Sequence, residues 1–175
     1  MKLFAPLLAA TLLSLSGWAA DPAGVRNFHQ IDNHIYRGAQ PAAQGYQSLS
    51  KLGVKTVIDL RETGGRSLVE KKAVEAAGMR YVSVPLSGIQ APSDAQVSRL
   101  LAMLDDHSAG PVFIHCRRGA DRTGTVLACY RIAHDHWQND KALAEARSLG
   151  MSWFEKAMQH YVLHYQAPTN AASVR

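Results

Sequence analysis

The sequence is short of several features, and each shortage removes a class of function. It has two cysteines in 175 residues, so a disulfide framework is excluded. It has no long Lys/Arg run and no interleaving of aromatic with basic residues, which argues against a nucleic-acid partner. It has no internal repeat and no Pro/Gly/Ser-rich linker, and its length suits one domain. Aromatics make up 7% of the chain. After the first twenty residues no apolar run is long enough to span a membrane. The formal net charge of +5 is a mild basic excess that fits anionic substrates.

The apolar run at the start reads as a secretory leader. Met1-Lys2 is a short positive segment, and Leu3 to Leu15 is apolar except for Pro6, Thr11 and Ser14. Small residues follow, and cleavage after Ala19 would put Gly17 at the −3 position, where cleavage after Ala20 would put Trp18. The expectation is therefore a signal peptide over residues 1–19 and a single domain over 20–175, periplasmic or secreted, with no stable membrane span once the leader is removed. Loss of Lys2 would bring the charge from +5 to +4. The tail after Pro168 is expected to be disordered.

The chemistry concentrates in ten residues, His115-Cys116-Arg117-Arg118-Gly119-Ala120-Asp121-Arg122-Thr123-Gly124. Gly110-Pro111 and then Val112-Phe113-Ile114 precede them, a turn followed by a short apolar run of buried-strand type. Behind them, Thr123 to His136 has helical periodicity. A strand-loop-helix turn of this kind points successive backbone N–H groups into one concavity, and the helix N-terminus adds positive partial charge. A phosphate oxyanion fits such a nest. The same field favours thiolate over thiol, which makes Cys116 a candidate nucleophile. Arg122 can clamp two phosphoryl oxygens with its planar fork. Gly119 suits a positive φ in mid-loop, Gly124 lets the helix pack closely, and the Thr123 hydroxyl is placed to hydrogen-bond the departing sulfur. Arg117, Arg118, Gly119 and Ala120 complete the candidate phosphoryl-binding loop.

Cys116, five residues, Arg122 and then Thr123 resemble the Cys-x5-Arg-Ser/Thr signature of cysteine-dependent protein tyrosine and dual-specificity phosphatases. Ile35 to Pro41 and Leu52 to Arg61 look like the start of small bacterial and atypical eukaryotic members. The resemblance implies a phosphocysteine intermediate on Cys116, no metal and no cofactor. It also implies a carboxylic acid that protonates the leaving oxygen, carried in the family by an Asp on the loop before the Cys strand. Here that loop reads Pro85 to Asp94, and Ser87 or Gly88 stands where the Asp is expected. Two carboxylates remain. Asp94 can be the acid, or a first-turn helix acid behind a Ser93/Gln96 capping box. Asp121 can be the acid, resembling the loop aspartate of some bacterial lipid-and-protein phosphatases, or it can brace the loop by pairing with a basic neighbour. A carboxylate beside a bound dianion is pushed toward its proton-donating form. Arg117 and Arg118 resemble paired basic residues of phosphatases acting on inositol phosphates or phosphoinositides. The implied partner is a phosphorylated protein or an inositol phosphate or phosphoinositide. A rhodanese-like sulfurtransferase and a non-catalytic phosphoryl-binding module are the alternatives.

The rest of the chain alternates short strands with helices, which predicts an α/β fold with a central, mostly parallel sheet of four to five strands flanked by helices, as in the dual-specificity phosphatases. Asn33 to Arg37 is expected as a short edge strand, 54–60 as a buried strand and 80–84 as a further strand. Helices are expected over 41–51, 67–77, 93–107, 139–149 and 151–165. The second of these should turn Leu68, Val69, Ala73, Val74 and Ala77 inward. Sites in such sheets lie beyond the strand C-termini, so the loops 61–66, 86–92 and 116–122 should converge. Asp59 and Arg61 should form a structural pair supporting the loop there, with substrate contact as the second reading. His115 should brace the loop, Cys129 should be a core residue out of reach of Cys116, and Trp137, Trp153, Phe154 and Tyr161 should pack inward.

Overall fold

The structure, a computed structural model, describes residues 22–168. The expected leader at 1–19 and most of the expected tail lie outside them. The described elements are β1 (His29–Gln30), β2 (Ile35–Ala39), α1 (Ala43–Lys51), β3 (Thr56–Asp59), α2 (Gly65–Ala76), β4 (Arg80–Ser83), α3 (Asp94–Leu104), β5 (Val112–Cys116), α4 (Asp121–Ala133), α5 (Asn139–Ser148) and α6 (Lys156–His164). The sheet runs β1-β2-β5-β3-β4. Four of its strands are parallel, and β1 pairs antiparallel with β2. The strand expected at the edge is therefore an inner one. All five residues of β2 are buried, because the two-residue β1 takes the edge outside it.

Side-chain alternation along the strands feeds two cores. From β5, Val112, Ile114 and Cys116 join Ile58, Leu100, Val126 and Leu127 in the larger core under α3 to α6. Phe113 points the other way, to Val57, Tyr46, Leu49 and Val74 under α1 and α2. Helix α4 starts where β5 delivers the Cys loop, and most of it is buried. A Cβ on Gly124 would lie 3.2–3.3 Å from Met151 and Ala146, which is the close packing that glycine permits. Cys129 is buried in this core and its thiol is free. Burial pushes that thiol well up. The Ser93/Gln96 capping box is formed at the start of α3.

Two apolar expectations do not hold. Leu68 and Val69 face solvent at 65% and 70% exposure, whereas Ser67 and Glu70 of α2 point inward. Trp153 and Phe154 are also exposed and stack on each other, while Trp137 and Tyr161 do pack against the core. The reason for the rotation of α2 is electrostatic. Arg61, just past β3, donates to both carboxylate oxygens of Asp59 at 2.9 and 2.7 Å and also to Glu70 Oε2. His115 Nε2 lies 3.1 Å from Glu70 Oε1, and its Nδ1 donates to the Cys116 carbonyl at 3.2 Å. The Tyr81 hydroxyl adds a 2.8 Å bond to Asp59. A helix that turned Leu68 and Val69 inward would take Glu70 away from Arg61.

Burial alone would raise the Asp59 carboxyl. Hydrogen bonds from Arg61, the charge of His115 and the Tyr81 hydroxyl outweigh it and hold the group below the ordinary aspartate range. A carboxyl held lower in the folded than in the unfolded chain contributes stability that is full above about pH 5 and is lost as pH falls through the folded value. Urea midpoints should therefore drop from pH 6 toward about pH 3, with a shallower drop in Asp59→Asn. Glu70→Ala, which strips a carboxylate from a buried cation, should cost about 3 kcal/mol at neutral pH, read from the same unfolding curves.

Candidate active site

Beyond the carboxyl ends of β2 and β5 lies a cavity of about 790 Å³ lined by Cys116, Arg117, Arg118, Asp121 and Arg122, with Ala39 and Gly88 and with Arg26, Asn27 and Glu155. Cys116 is the last residue of β5 and Arg122 the second of α4. The five residues between them curl so tightly that Gly119 adopts φ +68°. A Cβ at Gly119 would meet the Gly38 carbonyl carbon and oxygen at 2.2 Å. Glycine is thus required twice, by conformation and by the approach of the loop to β2.

Two residues that the sequence did not single out hold this loop from below. The Asn27 amide nitrogen lies 3.2 Å from the Arg118 carbonyl, 3.1 Å from the Gly119 carbonyl and 3.1 Å from the Leu149 carbonyl. Arg37, on β2 and fully buried, donates to the Gly119 carbonyl. Burial lowers the Arg37 guanidinium to about 10, and the charge of Cys116 offsets part of that penalty. Thr123 is buried, and its hydroxyl has no hydrogen-bond partner among the described residues.

The two loop arginines diverge in their surroundings. Arg118 pairs with Asp121 Oδ2 at 2.6 Å. Its hydrogen bond to Asp121, with the charge of that carboxylate, raises the Arg118 guanidinium. Arg117 is exposed and has no carboxylate partner among the described residues. Asp121 also accepts the Ser152 N–H through Oδ1 at 2.9 Å, which ties the segment between α5 and α6 to the loop and brings Glu155 to the cavity wall. Arg122 Nη1 reaches the Leu86 carbonyl at 3.5 Å, so the loop after β4 closes the third side. In that loop Ser87 Oγ accepts the Ile89 and Gln90 N–H groups and Gly88 faces the cavity.

The two candidate acids are separated. Asp121 lines the cavity. Asp94 does not: it is exposed in the first turn of α3, where Oδ1 accepts the Tyr161 hydroxyl at 2.7 Å. Besides Asn27 and Arg37, Arg26 and Glu155 also went unmarked at the cavity; they join it from distant parts of the chain, and no local spacing signals them. Asp59, Glu70 and His115 place three possible metal-ligand atoms within 4.8 Å of one another. Arg61 is bound to both carboxylates and is already the cation of that cluster.

A thiol at the end of a parallel strand and an arginine at the head of the next helix, joined by a tight five-residue loop and lining one cavity, define a cysteine-dependent phosphatase site on a dual-specificity-type fold. Comparison with known proteins gives the family. Residues 21–162 match the family described as DSP-PTPase phosphatase fused to NAD+ kinase. The dual specificity protein phosphatase TpbA of Pseudomonas aeruginosa is 32% identical over 161 residues, which cover 85% of this chain and 71% of the relative. The crystal structure of TpbA in complex with phosphotyrosine superimposes with a TM-score of 0.70 at 29% identity, over 85% of this chain and 88% of that one. The inositol diphosphatase DSP5 of Arabidopsis thaliana is 26% identical over 140 residues, 76% of this chain and 67% of the relative. The chain belongs to the DSP-PTPase family and is a dual-specificity-type phosphatase. With membership shown, the sulfurtransferase and passive-binding readings lose their ground.

Gly119→Ala should be among the most damaging conservative changes in the molecule. The methyl group meets backbone rather than a side chain that could move away, and its φ is strained as well. The expected loss is about 3 kcal/mol or more in urea unfolding, with a fall in phosphatase activity that persists at temperatures where the variant remains folded.

Proposed function

We propose that this chain is an exported phosphomonoesterase that works through a phosphocysteine on Cys116, and that its substrates are phosphotyrosyl proteins or inositol phosphates. The carrying observation is the shared cavity of Cys116 and Arg122 at the loop that joins β5 to α4. The names of the relatives support the substrate range, since TpbA is a dual specificity protein phosphatase and DSP5 an inositol diphosphatase. The export reading rests on the leader-like residues 1–19. Among the described residues no helix is long and apolar enough to cross a membrane.

The steps follow from the residues. The phosphoryl group enters the loop, where Arg122 and the loop amides bind its oxygens. The Cys116 sulfur attacks phosphorus, the P–S bond forms and the P–O bond to the leaving group breaks. Asp121 supplies the proton to the leaving oxygen and then takes one from the water that cleaves the P–S bond. The resting Asp121–Arg118 pair allows this role. Arg118 has an exposed side chain, at 62%, and can exchange Asp121 for an incoming phosphate oxygen. That exchange frees Asp121 Oδ2 beside a fresh negative charge, which favours its protonated form. Thr123, buried beside the loop, offers its hydroxyl to the sulfur as it leaves.

Phosphate release from a phosphotyrosine peptide, a phosphoserine peptide, a phosphoinositide and a soluble inositol polyphosphate should vanish in Cys116→Ser. No release from any of the four by the reduced wild-type protein would overturn the reading. Asp121→Asn should lower kcat on a poor leaving group such as phenyl phosphate about 100-fold and affect p-nitrophenyl phosphate far less, while Asp94→Asn should change either by less than about twofold. Loss in Asp94→Asn without loss in Asp121→Asn would reverse the assignment. Loss in neither would move the proton to Glu155, the other carboxylate on the cavity wall. Recovery of the protein in the periplasmic or medium fraction, shortened by about 19 residues, checks the export step.

A further inference from the structure

Helix α6 buries Met158, Gln159 and Val162. Gln159 is the polar one of the three, and it is only 4% exposed. Burial of an amide is unfavourable unless its polar ends are bonded, and both ends of this one are. Gln159 Nε2 donates to the Ser152 carbonyl at 2.8 Å, and Oε1 accepts from the Arg147 guanidinium on α5. The first of these bonds is not needed to satisfy the turn. The Ser152 carbonyl already accepts the Glu155 N–H at 3.1 Å. The additional donor ties Ser152 to the buried side of α6. Ser152 is also the residue whose N–H reaches Asp121 Oδ1 at 2.9 Å. A chain of hydrogen bonds therefore runs from Arg147 through Gln159 and Ser152 to the carboxylate on the cavity wall.

We infer that Gln159 is a positioning residue for the proton transfer, acting through Ser152 to fix which oxygen of Asp121 carries the proton and where that oxygen points. The inference rests on the reading of Asp121 as the acid and deepens it. In the resting site Asp121 Oδ1 accepts the Ser152 N–H and Oδ2 accepts from Arg118. When Arg118 turns to an incoming phosphate, the Ser152 N–H is the one of these two bonds that stays. An N–H donor against Oδ1 leaves no room for a proton on that oxygen. The proton goes to Oδ2, the oxygen that Arg118 has released beside the substrate. The carboxyl keeps this orientation only while Ser152 keeps its place. The Ser152 N–H and carbonyl belong to different peptide planes, so Gln159 passes on position and not polarisation. Arg147 holds the amide the right way round: with Oε1 on a guanidinium, Nε2 is left to face the Ser152 carbonyl. General acid catalysis requires hydrogen-bond reach to the leaving oxygen, and a small displacement set far from the chemistry is felt in the rate. An apolar residue at 159, in keeping with Met158 and Val162, would fill the same space and leave the Ser152 carbonyl with its turn bond alone.

The test is a leaving-group comparison combined with a double-mutant cycle. Gln159→Met keeps the volume and the helix propensity and removes the donor. It should lower kcat on phenyl phosphate about tenfold and kcat on p-nitrophenyl phosphate far less. In the Asp121→Asn background the same change should cost less than about twofold on phenyl phosphate, because the group it positions is already lost. Gln159→Glu keeps an acceptor for Arg147 and loses the donor to Ser152, and it should show the same split between substrates. Met158→Ala opens the core beside Gln159 without removing its bonds, and should lower the thermal midpoint with no such split. Rates are compared at a temperature where circular dichroism shows each variant folded. Equal falls on the two substrates in Gln159→Met and Gln159→Glu, no fall on either, or a loss that multiplies in full with that of Asp121→Asn would overturn the inference. Failure of the acid reading would appear separately, in Asp121→Asn alone, as the absence of any leaving-group effect, and the inference would fall with it. Failure of the phosphatase reading would appear as no Cys116-dependent hydrolysis of any substrate.

Discussion

Arg61 is a buried cation at the end of β3, and the site is hung on its ion pairs with Asp59 and Glu70. One carboxylate belongs to its own strand and the other to α2. Glu70 in turn faces His115, whose Nδ1 holds the carbonyl of Cys116. One ionic cluster thus connects a strand, a helix and the residue that carries the thiol. Buried pairs bring little net stability, because desolvation consumes most of the Coulombic gain, yet breaking one costs about 3–5 kcal/mol. The consequence is placement rather than strength: α2 has one rotation that keeps both carboxylates on Arg61. The helix holds that rotation although Leu68 and Val69 are left in water, where their burial would be worth about 1.5–3 kcal/mol each. The two sides are comparable in size, so hydrophobic pattern alone could not decide between them.

This explains where the sequence was readable and where it was not. The site loop is ten contiguous residues, with its strand before it and its helix after it, and its chemistry is set by spacing along the chain. The parallel sheet and the convergence of the loops after β3, β4 and β5 follow from strand-helix alternation. The supports of the loop are different. Asn27 and Arg37 reach Gly119 across 92 and 82 residues of chain, and only the completed β2–β5 pairing brings them there. An arginine in Ile35 to Ala39 reads as an exposed position on an edge strand until β1 is seen to cover that edge. Glu155 comes to the cavity because Ser152 binds Asp121, a contact with no local signature. The same segment explains the misplaced aromatics. Its backbone is directed by the polar contact to Asp121, and Trp153 and Phe154 are left outside with each other as their packing partner.

The loop also has two electrostatic faces with different freedom. Above it, Arg117 and Arg118 are exposed and can rearrange around an anion. Below it, Arg37 cannot move: it is 1% exposed and bonded to the Gly119 carbonyl. No carboxylate pairs with it among the described residues; the charge of Cys116 is the first influence that favours its charged form. A guanidinium tolerates this position because it begins from so high a value that burial brings it only to about 10, and it remains charged at neutral pH. A lysine would present a point charge in place of a planar fork that reaches the Gly119 carbonyl. Arginine suits the fixed position below, because its guanidinium keeps its charge despite burial. Because it is fixed, an arriving phosphate does not reorganise the underside of the loop, and the charge it brings falls on the side chains that are free to meet it.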